Sequence, residues 1–348
     1  MFINRQMTGC ERVIAALQGK EVDRLPVINP TSVATLESMI KVQAFFPRAH
    51  FDAQKMALLA SAGHELLGFD TVAPYFSIVL EAAALGCNID WGKKDTMPEV
   101  KKDFMKTPEV KVDLRGFINK KPVKALFEAI ELLKKRYDNR AAVVGKAIGP
   151  LTLAYHLYGV QSYLLKLIIE PESARKIMQD LVKVSLEMAH IQLEKGADVI
   201  TWADHATSNL VSAACYKEYL LPIQQEAVKE VNKYCPVILH TCGDATDRFS
   251  YITKAGFTAF HFDSRNSLED LLQTAKNRIT LIGGINNPQL LLNGTPDDIK
   301  QKVFRLIHMG INLVSPECAV PIRTPNSNLK EIVKAVANFN RQVKRTRL

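Results

Sequence analysis

The sequence predicts an α/β protein that folds as one (β/α)8 TIM barrel from its 348 residues. Eight short runs rich in apolar and β-branched residues recur along the chain, and amphipathic helical stretches lie between most of them. Strands that alternate with helices favour a parallel sheet, and eight such units in a chain of this length match a closed barrel. An open doubly wound sheet is the alternative, but no G-x-G-x-x-G loop follows the first predicted strand.

The predicted strands are short apolar segments bounded by polar or turn residues. In chain order they are residues 25–28, 71–74, 141–147, 198–203, 237–241, 258–263, 279–283 and 311–315. Between them, apolar residues at helical spacing predict helices, as for Ile177, Leu181 and Val184. The helices predicted in this way are residues 173–195, 212–234, 297–310 and 328–343.

Two further segments complete the predicted domain. Thr8 and Glu11 form a capping-box pattern, which predicts a short helix over residues 11–17 as an N-terminal extension. Residues 87–124 lack a clear period and contain many charges and prolines, so we expect a hairpin or surface insertion there. Neither an internal repeat nor a linker typical of a domain boundary is present, so residues 1–348 are expected to form a single domain.

Composition excludes several classes of function. No apolar run is long enough to span a bilayer, and the N-terminus lacks an apolar signal core, so we expect a cytoplasmic protein without a membrane partner. The net charge is +9, but the basic residues are spread along helix-like segments without aromatic interleaving. This pattern favours a solvated surface over a nucleic-acid interface. Six cysteines in a chain of this length do not indicate a secreted disulfide framework.

His240 and Cys242 are the strongest indication of chemistry in the chain. They lie two positions apart in a strand-like segment, so both side chains point to the same face. Cys318 follows the last predicted strand. An imidazole and two thiolates are ligands that zinc prefers, and three protein ligands leave the open position typical of a catalytic zinc site. The remaining cysteines are interpreted as small buried side chains: Cys10, Cys87, Cys215 and Cys235.

The positions of these residues in the predicted barrel strengthen the metal hypothesis. Catalytic residues of such barrels lie at the carboxyl ends of the strands. Asp204 and His205 follow the fourth strand, and Asp263 ends the sixth. Glu317 follows the eighth strand, next to Cys318. The alternative is that a buried imidazole and a buried thiol are neighbours by chance, which would not place every soft ligand on one rim.

Several stretches together carry a resemblance that covers nearly the whole chain: residues 12–20, 23–27, 81–87, 145–150, 196–200, 203–204, 240–243, 283–285 and Cys318. The chain resembles the cobalamin-dependent methyltransferases that move a methyl group from a methylated corrinoid to a thiol, chiefly coenzyme M. These enzymes belong to the uroporphyrinogen decarboxylase superfamily of (β/α)8 barrels. The most specific element is His240-x-Cys242 with the distant Cys318.

The resemblance implies a zinc ion held by His240, Cys242 and Cys318. It also implies that methyl-cobalamin or a methylated corrinoid protein is the methyl donor and that a small thiol, most often coenzyme M, is the acceptor. A separate corrinoid protein is expected because the chain has no Asp-x-His-x-x-Gly cobalamin-binding motif. In the implied mechanism, the substrate thiol binds zinc as a thiolate and attacks the methyl carbon.

The remaining candidates each have a structural alternative. Asp263 is the hypothesised fourth zinc ligand and catalytic residue, or else a cap of the next helix. Asp204 is expected to contact the corrinoid or the thiol substrate as a catalytic or cofactor-binding residue, or else to cap a helix. Tyr75 and Trp202 either line the corrinoid cleft or are packed in the core. Glu317 is expected to support the zinc ligands or to lie in a solvated loop.

One departure separates the chain from the decarboxylases of the same superfamily. Those enzymes carry an Arg-Gln-Ala-Gly-Arg-Tyr stretch just after the first strand, where this chain has Asn-Pro-Thr-Ser-Val at residues 29–33. The arginines that would bind the carboxylates of a porphyrinogen are therefore missing. A zinc-free decarboxylase or ligand-binding barrel remains the alternative function, and metal analysis separates it from the methyltransferase.

Overall fold

The fold is built around a curled parallel sheet, seen in a computed structural model that describes residues 5–101 and 114–345. The strands are β1 (Thr71–Val72), β2 (Ile89–Asp90), β3 (Glu99–Val100), β4 (Ala142–Ile148), β5 (Val199–Ala203), β6 (Val237–Thr241), β7 (Ala259–Phe262), β8 (Thr280–Ile285) and β9 (Leu313–Pro316). Seven of them form one sheet in the order β1-β4-β5-β6-β7-β8-β9, and each neighbouring pair is parallel. The predicted α/β barrel class is confirmed.

The segment around Val27 occupies the eighth position of the barrel. It forms a parallel bridge with Val314 of β9, and the Ile28 amide donates to the Val314 carbonyl at 3.0 Å. On its other side, the Asp70 amide donates to the Val27 carbonyl at 2.8 Å, next to β1. The predicted strand over residues 25–28 is therefore reduced to a single bridge, because Pro26 has no amide hydrogen for a ladder.

Helices surround the sheet. They are α1 (Gly9–Leu17), α2 (Leu36–Val42), α3 (Ala53–Glu65), α4 (Leu80–Ala84), α5 (Leu114–Ile118), α6 (Lys121–Tyr137), α7 (Pro150–Tyr158), α8 (Val160–Ile169), α9 (Pro171–Glu194), α10 (Ala213–Cys215), α11 (Leu221–Val231), α12 (Phe249–Ile252), α13 (Leu268–Ala275), α14 (Pro296–Met309) and α15 (Asn326–Arg345). Among the described residues, no helix is both long and apolar enough to cross a membrane.

The helix predicted over residues 212–234 is interrupted. A π-helical turn, Tyr216–Leu220, separates α10 from α11. Pro222 lies at the start of α11 and has no amide hydrogen to continue the α-helical bonding from the preceding turn. The π-helical turn changes the hydrogen-bond register at this point, so that no bond from the Pro222 nitrogen is needed. The spacing of apolar residues does not reveal such a change of register.

Helix α1 closes the amino-terminal end of the barrel. The capping box at its start is present, because Thr8 and Glu11 each accept the other's amide hydrogen. Val13 and Leu17 belong to a buried apolar cluster with inward-facing residues from six strands, Ala142, Val199, Ile238, Ala259, Ile282 and Leu313. The apolar plug leaves the carboxyl end as the face where a site can open.

Strand β2 and strand β3 form an antiparallel hairpin within the predicted insertion, with Ile89 opposite Val100. Residues 102–113, which also fall in that insertion, lie outside the described residues. The hairpin follows β1 and α4, so it extends from the carboxyl end of the barrel, where loops after parallel strands emerge.

Polar side chains occupy the barrel interior above the apolar plug. Side chains of a barrel strand alternate between the interior and the surrounding helices. The strand register places His240 beside Ala203 on one side and His261 on the other. The buried polar residues that share this inward face are Lys146, Thr201, His240, His261 and Ser315.

Candidate metal centre

Three ligand side chains converge at the carboxyl end of the barrel. His240 is the second-last residue of β6, and Cys242 directly follows that strand. Cys318 lies two residues beyond the end of β9. The ligand atoms of the three side chains lie within 4.8 Å of one another. The His240 Nε2 atom is 3.3 Å from the Cys318 Sγ atom. The structure thus brings together residues from two strands that are far apart in sequence.

This geometry fits a zinc ion. Zinc–sulfur bonds of about 2.3 Å and zinc–nitrogen bonds of about 2.0 Å place tetrahedral ligand atoms about 3.5–3.8 Å apart. The separation of 3.3 Å between His240 Nε2 and Cys318 Sγ is close to these values, and the other separations are at most 4.8 Å. Without a metal, a hydrogen bond from the Cys242 thiol lowers the pKa of Cys318 well below its usual range. The same hydrogen bond, together with burial, raises the pKa of Cys242.

The ring of His261, on the neighbouring strand β7, packs against the imidazole of His240. The two rings lie 4.6 Å apart, centroid to centroid, at an angle of 33°. The Nε2 atom of His261 donates to the Pro316 carbonyl at 2.7 Å, which orients its ring and links β7 to β9. Burial lowers the pKa of His261 to about 3, so the ring is neutral at pH 7 and adds no positive charge beside the metal site.

Asp263 lies beside the three ligands. Its Oδ2 atom is 3.7 Å from the Cys242 Sγ atom. The carboxylate accepts hydrogen bonds from the Arg265 backbone amide at 2.9 Å and from the Arg265 guanidinium at 3.1 and 3.2 Å. Asp263 does not cap the next helix, because the Ser267 side chain caps α13. Asp263 is therefore free of a capping role there, and its carboxylate lies next to Cys242.

Asp204 is buried and its carboxylate is directed to the start of α7. Its Oδ1 atom accepts from the Thr152 amide at 2.9 Å and the Thr152 hydroxyl at 3.0 Å. Gln224 donates to the other oxygen at 3.3 Å. Gly149 makes room for it, since a Cβ atom there would lie 2.3 Å from the Asp204 Cγ atom. The carboxylate thus caps a helix from outside, and burial raises its pKa to about 6.

Asp204 and the next residue, His205, also bond to the segment that carries Cys242. The Thr241 hydroxyl donates to the Asp204 carbonyl at 3.0 Å, and the Cys242 amide donates to the His205 Nδ1 atom at 3.2 Å. Burial lowers the pKa of His205 to about 4, which keeps this nitrogen available as an acceptor. His205, whose role the sequence left open, therefore fixes the backbone that carries Cys242.

Tyr75 and Trp202 are buried, not exposed in a cleft. Trp202 alternates with the inward-facing Thr201 and Ala203 on β5, so its ring faces the helices and belongs to the main apolar core. The Tyr75 hydroxyl hydrogen bonds to the Glu81 carboxyl group and accepts from the Leu80 amide at 3.1 Å. This burial favours the packing alternative for both rings, and their contact with a corrinoid stays a prediction.

Glu317 joins the loops around Cys318. Its two carboxylate oxygens accept from the Ser264 amide and the Asn287 amide, each at 2.9 Å. These amides lie in the loops after β7 and β8, so one side chain ties three strand ends together. Loss of this link would free the backbone that positions the Cys318 thiol.

Lys146 and Glu81 form a buried polar group that the sequence interpretation missed. Lys146 lies on the inward face of β4, and its ammonium group is 4.5 Å from the centroid of the Tyr75 ring. Glu81 accepts from the Ile148 amide at 2.9 Å. Burial lowers the pKa of Lys146 to about 8 and raises that of Glu81 to about 7. A lysine inside an otherwise apolar predicted strand was the signal that could have identified this group.

Comparison with known proteins places the chain in a family. Residues 8–339 match the sequence profile described as Uroporphyrinogen decarboxylase (URO-D). The chain is 33% identical over 339 residues to a methylcobamide:CoM methyltransferase of Methanosarcina acetivorans, which covers 96% of this chain and 99% of that protein. It is also 33% identical over 335 residues to a methylated-thiol–coenzyme M methyltransferase of Methanosarcina mazei, covering 95% of this chain and 89% of that protein.

A solved structure agrees with these sequence matches. The structure of a methyltransferase from Methanosarcina mazei superimposes with a TM-score of 0.92 at 29% identity, covering 96% of this chain and 99% of that one. The profile match spans almost the whole barrel, and the relatives named above are methyltransferases over nearly their full length. The chain therefore belongs to the uroporphyrinogen decarboxylase family and, within it, is a methyltransferase.

Proposed function

We propose that this protein transfers a methyl group from a methylated corrinoid to the thiol of coenzyme M, using one zinc ion held by His240, Cys242 and Cys318. The observation that carries the proposal is the approach of these three ligand atoms to within 4.8 Å at the carboxyl rim of the barrel. The substrates come from the names of the two relatives, which are similar to this chain over 95% or more of its length.

The donor set suits a thiol substrate. Bound there, zinc would supply a Lewis acid that favours the thiolate form of a coordinated thiol. Two cysteine thiolates and a neutral imidazole balance the charge of the metal, so little positive charge is left to draw electron density from a further sulfur. The chain's part is to hold these donors rigidly, which His261 and Glu317 support through their contacts with Pro316, Ser264 and Asn287.

Asp263 is proposed to be the residue that would supply a fourth ligand to the zinc when no thiol is bound. Its carboxylate lies 3.7 Å from the Cys242 sulfur. The guanidinium of Arg265 is 65% exposed and already bonds this carboxylate. Arg265 would therefore hold this carboxylate at the rim whether or not it contacts the metal.

The methyl donor is proposed to be a separate methylated corrinoid protein that docks at the carboxyl rim. Helix α1 fills the opposite end of the barrel with apolar side chains. The thiol sulfur attacks the methyl carbon, the carbon–sulfur bond forms as the carbon–cobalt bond breaks, and the electron pair stays on cobalt. If the thiol releases its proton to solvent on binding, no general base is needed in this step.

A test needs free methylcobalamin, coenzyme M and purified protein. Cobalamin demethylation is followed by absorbance for the wild type, for Cys318→Ala and for the control Cys215→Ala. Cys215 is a partly buried cysteine at the start of the interrupted helix, away from the three ligands. We expect about one zinc per chain and coenzyme M-dependent demethylation in the wild type and the control, and loss of both in Cys318→Ala. Metal-free wild-type protein that retains full activity would rule out the zinc proposal.

A further inference from the structure

Lys146 lies in the barrel interior without a hydrogen-bonded partner for its charge. Its backbone is held firmly, because the Gln192 side chain accepts from its amide and donates to its carbonyl, each at 2.9 Å. Its side chain is 3% exposed. Within the described residues, no hydrogen bond or ion pair involves its ammonium group, whose contact is with the face of the Tyr75 ring at 4.5 Å.

Two negative groups act on this ammonium through space, and neither is committed to it. The first is Glu81, but its carboxyl oxygens already bond the Ile148 amide and the Tyr75 hydroxyl. Because burial raises the pKa of Glu81 to about 7, that group is only partly ionised at neutral pH. The second is Cys318, whose sulfur is committed to the metal under the proposed function.

With zinc in place, Lys146 is therefore a buried cation that lacks a full counter-charge. Buried ammonium groups are costly unless they are paired and hydrogen bonded. The cation–π contact with Tyr75 offsets only part of this cost. An anionic ligand would accept the three ammonium hydrogens and supply the missing charge.

The position of Lys146 on the sheet indicates where an anion bound to its ammonium group would lie relative to the substrate thiol. β4 carries Lys146 and β6 carries His240, with β5 between them. Neighbouring strands lie about 4.8 Å apart, so the two backbones are about 10 Å apart across the sheet. The strand register aligns Lys146 with Thr201 and Ile238, so its side chain starts one inward-facing position nearer the amino end of the barrel than His240.

We infer that Lys146 binds the anionic end of the thiol substrate, a sulfonate or similar group about two carbons from the sulfur. The inference rests on the proposed function, because it takes the thiol to be bound at the three ligands. Coenzyme M, which is 2-mercaptoethanesulfonate, has this chemistry. Lys146 then selects an anionic thiol over a neutral one of the same length, while the zinc ligands accept either.

Calorimetric binding to the zinc-loaded protein tests this without a corrinoid. The probes are coenzyme M and 2-mercaptoethanol, which share the thiol and the two-carbon spacer but differ in charge. We expect the wild type to bind coenzyme M more tightly. Lys146→Met should weaken coenzyme M roughly 10- to 100-fold and leave 2-mercaptoethanol within about threefold, as for the loss of one charged hydrogen-bond donor.

Two further variants control the comparison. Lys183→Met removes an exposed lysine on α9 and changes the net charge equally, so it should leave both thiols unaffected. Lys146→Arg keeps the charge and should keep most of the preference for coenzyme M. Zinc content and thermal unfolding of each variant show whether the barrel and the metal site are intact.

The outcomes separate this inference from the proposed function. Equal losses for both thiols in Lys146→Met, or no loss for coenzyme M, would overturn the role of Lys146. If Lys146→Met does not fold, the wild type decides, since equal affinity for the two thiols also overturns it. A protein that prefers coenzyme M through Lys146 but does not demethylate methylcobalamin would retain the anion site and refute the methyl transfer.

Discussion

Substitution of Asp204 by asparagine distinguishes a catalytic carboxylate from a helix cap. The structure directs this carboxylate to the amide and hydroxyl of Thr152 at the start of α7, not to the metal ligands. Asparagine keeps an acceptor oxygen for that cap and removes the buried charge. A capping role therefore predicts a stable, active variant, whereas a catalytic role predicts an inactive one.

The magnitude follows from the pKa of Asp204, which burial raises from 3.8 to about 6. A difference of about 2 pKa units corresponds to about 3 kcal/mol. The Asp204 carboxyl group holds its proton more tightly in the folded protein than in the unfolded chain. Its contribution to the free energy of unfolding is therefore fully present below pH 3.8 and is lost as the pH rises through about 6. Asparagine cannot ionise, so Asp204→Asn should be the more stable protein at pH 8, by up to about 3 kcal/mol.

The assay is urea unfolding of the wild type and Asp204→Asn at several pH values from 4 to 8, with Asp204→Ala as a control for the cap. The difference between wild type and Asp204→Asn should be near zero at pH 4 and grow towards pH 8. Asp204→Ala should lose about 1–2 kcal/mol relative to Asp204→Asn at every pH, because the acceptor is gone. Demethylation activity of Asp204→Asn that falls a hundredfold or more in a stably folded protein would refute this reasoning and restore a catalytic role.

Three further predictions follow from contacts at the rim. Gly149→Ala should destabilise the protein by about 2–4 kcal/mol in urea unfolding, because its Cβ atom would lie 2.3 Å from the Asp204 Cγ atom; an unchanged midpoint would contradict the packing. Glu317→Gln should weaken zinc binding about 10- to 100-fold in competition with a chelator, since one of its two carboxylate acceptors is lost; unaltered affinity would show that the loops hold Cys318 without it. Asp263→Ala should retain about one zinc per chain but bind it roughly tenfold less tightly, and unchanged affinity would remove Asp263 from the fourth position.

The sequence was sufficient for the barrel and for the convergence of the three ligands. Both rest on local signals: apolar runs define the strands, and parallel strands necessarily bring their carboxyl ends to one rim. His240, Cys242 and Cys318 could therefore be associated across the chain before any distance was known. The π-helical turn before Pro222 and the reduction of the first strand at Pro26 required knowledge of hydrogen-bond register, which periodicity does not carry.

The direction of individual side chains was harder to predict. Asp204 follows a strand on the expected rim, but its side chain caps α7, because Gly149 leaves space there and the Thr152 amide lacks a partner within its own helix. The buried group of Lys146, Tyr75 and Glu81 joins residues from β4, the segment after β1 and α4. Such tertiary neighbours leave no spacing motif in the sequence.

X-ray absorption at the zinc edge, recorded before and after addition of coenzyme M, tests the central claim most directly. We expect two sulfur neighbours at about 2.3 Å together with nitrogen and oxygen in the free protein, and three sulfur neighbours once the thiol is bound. An unchanged sulfur count on saturation with coenzyme M, or a zinc environment without sulfur, would contradict a substrate thiol bound at His240, Cys242 and Cys318.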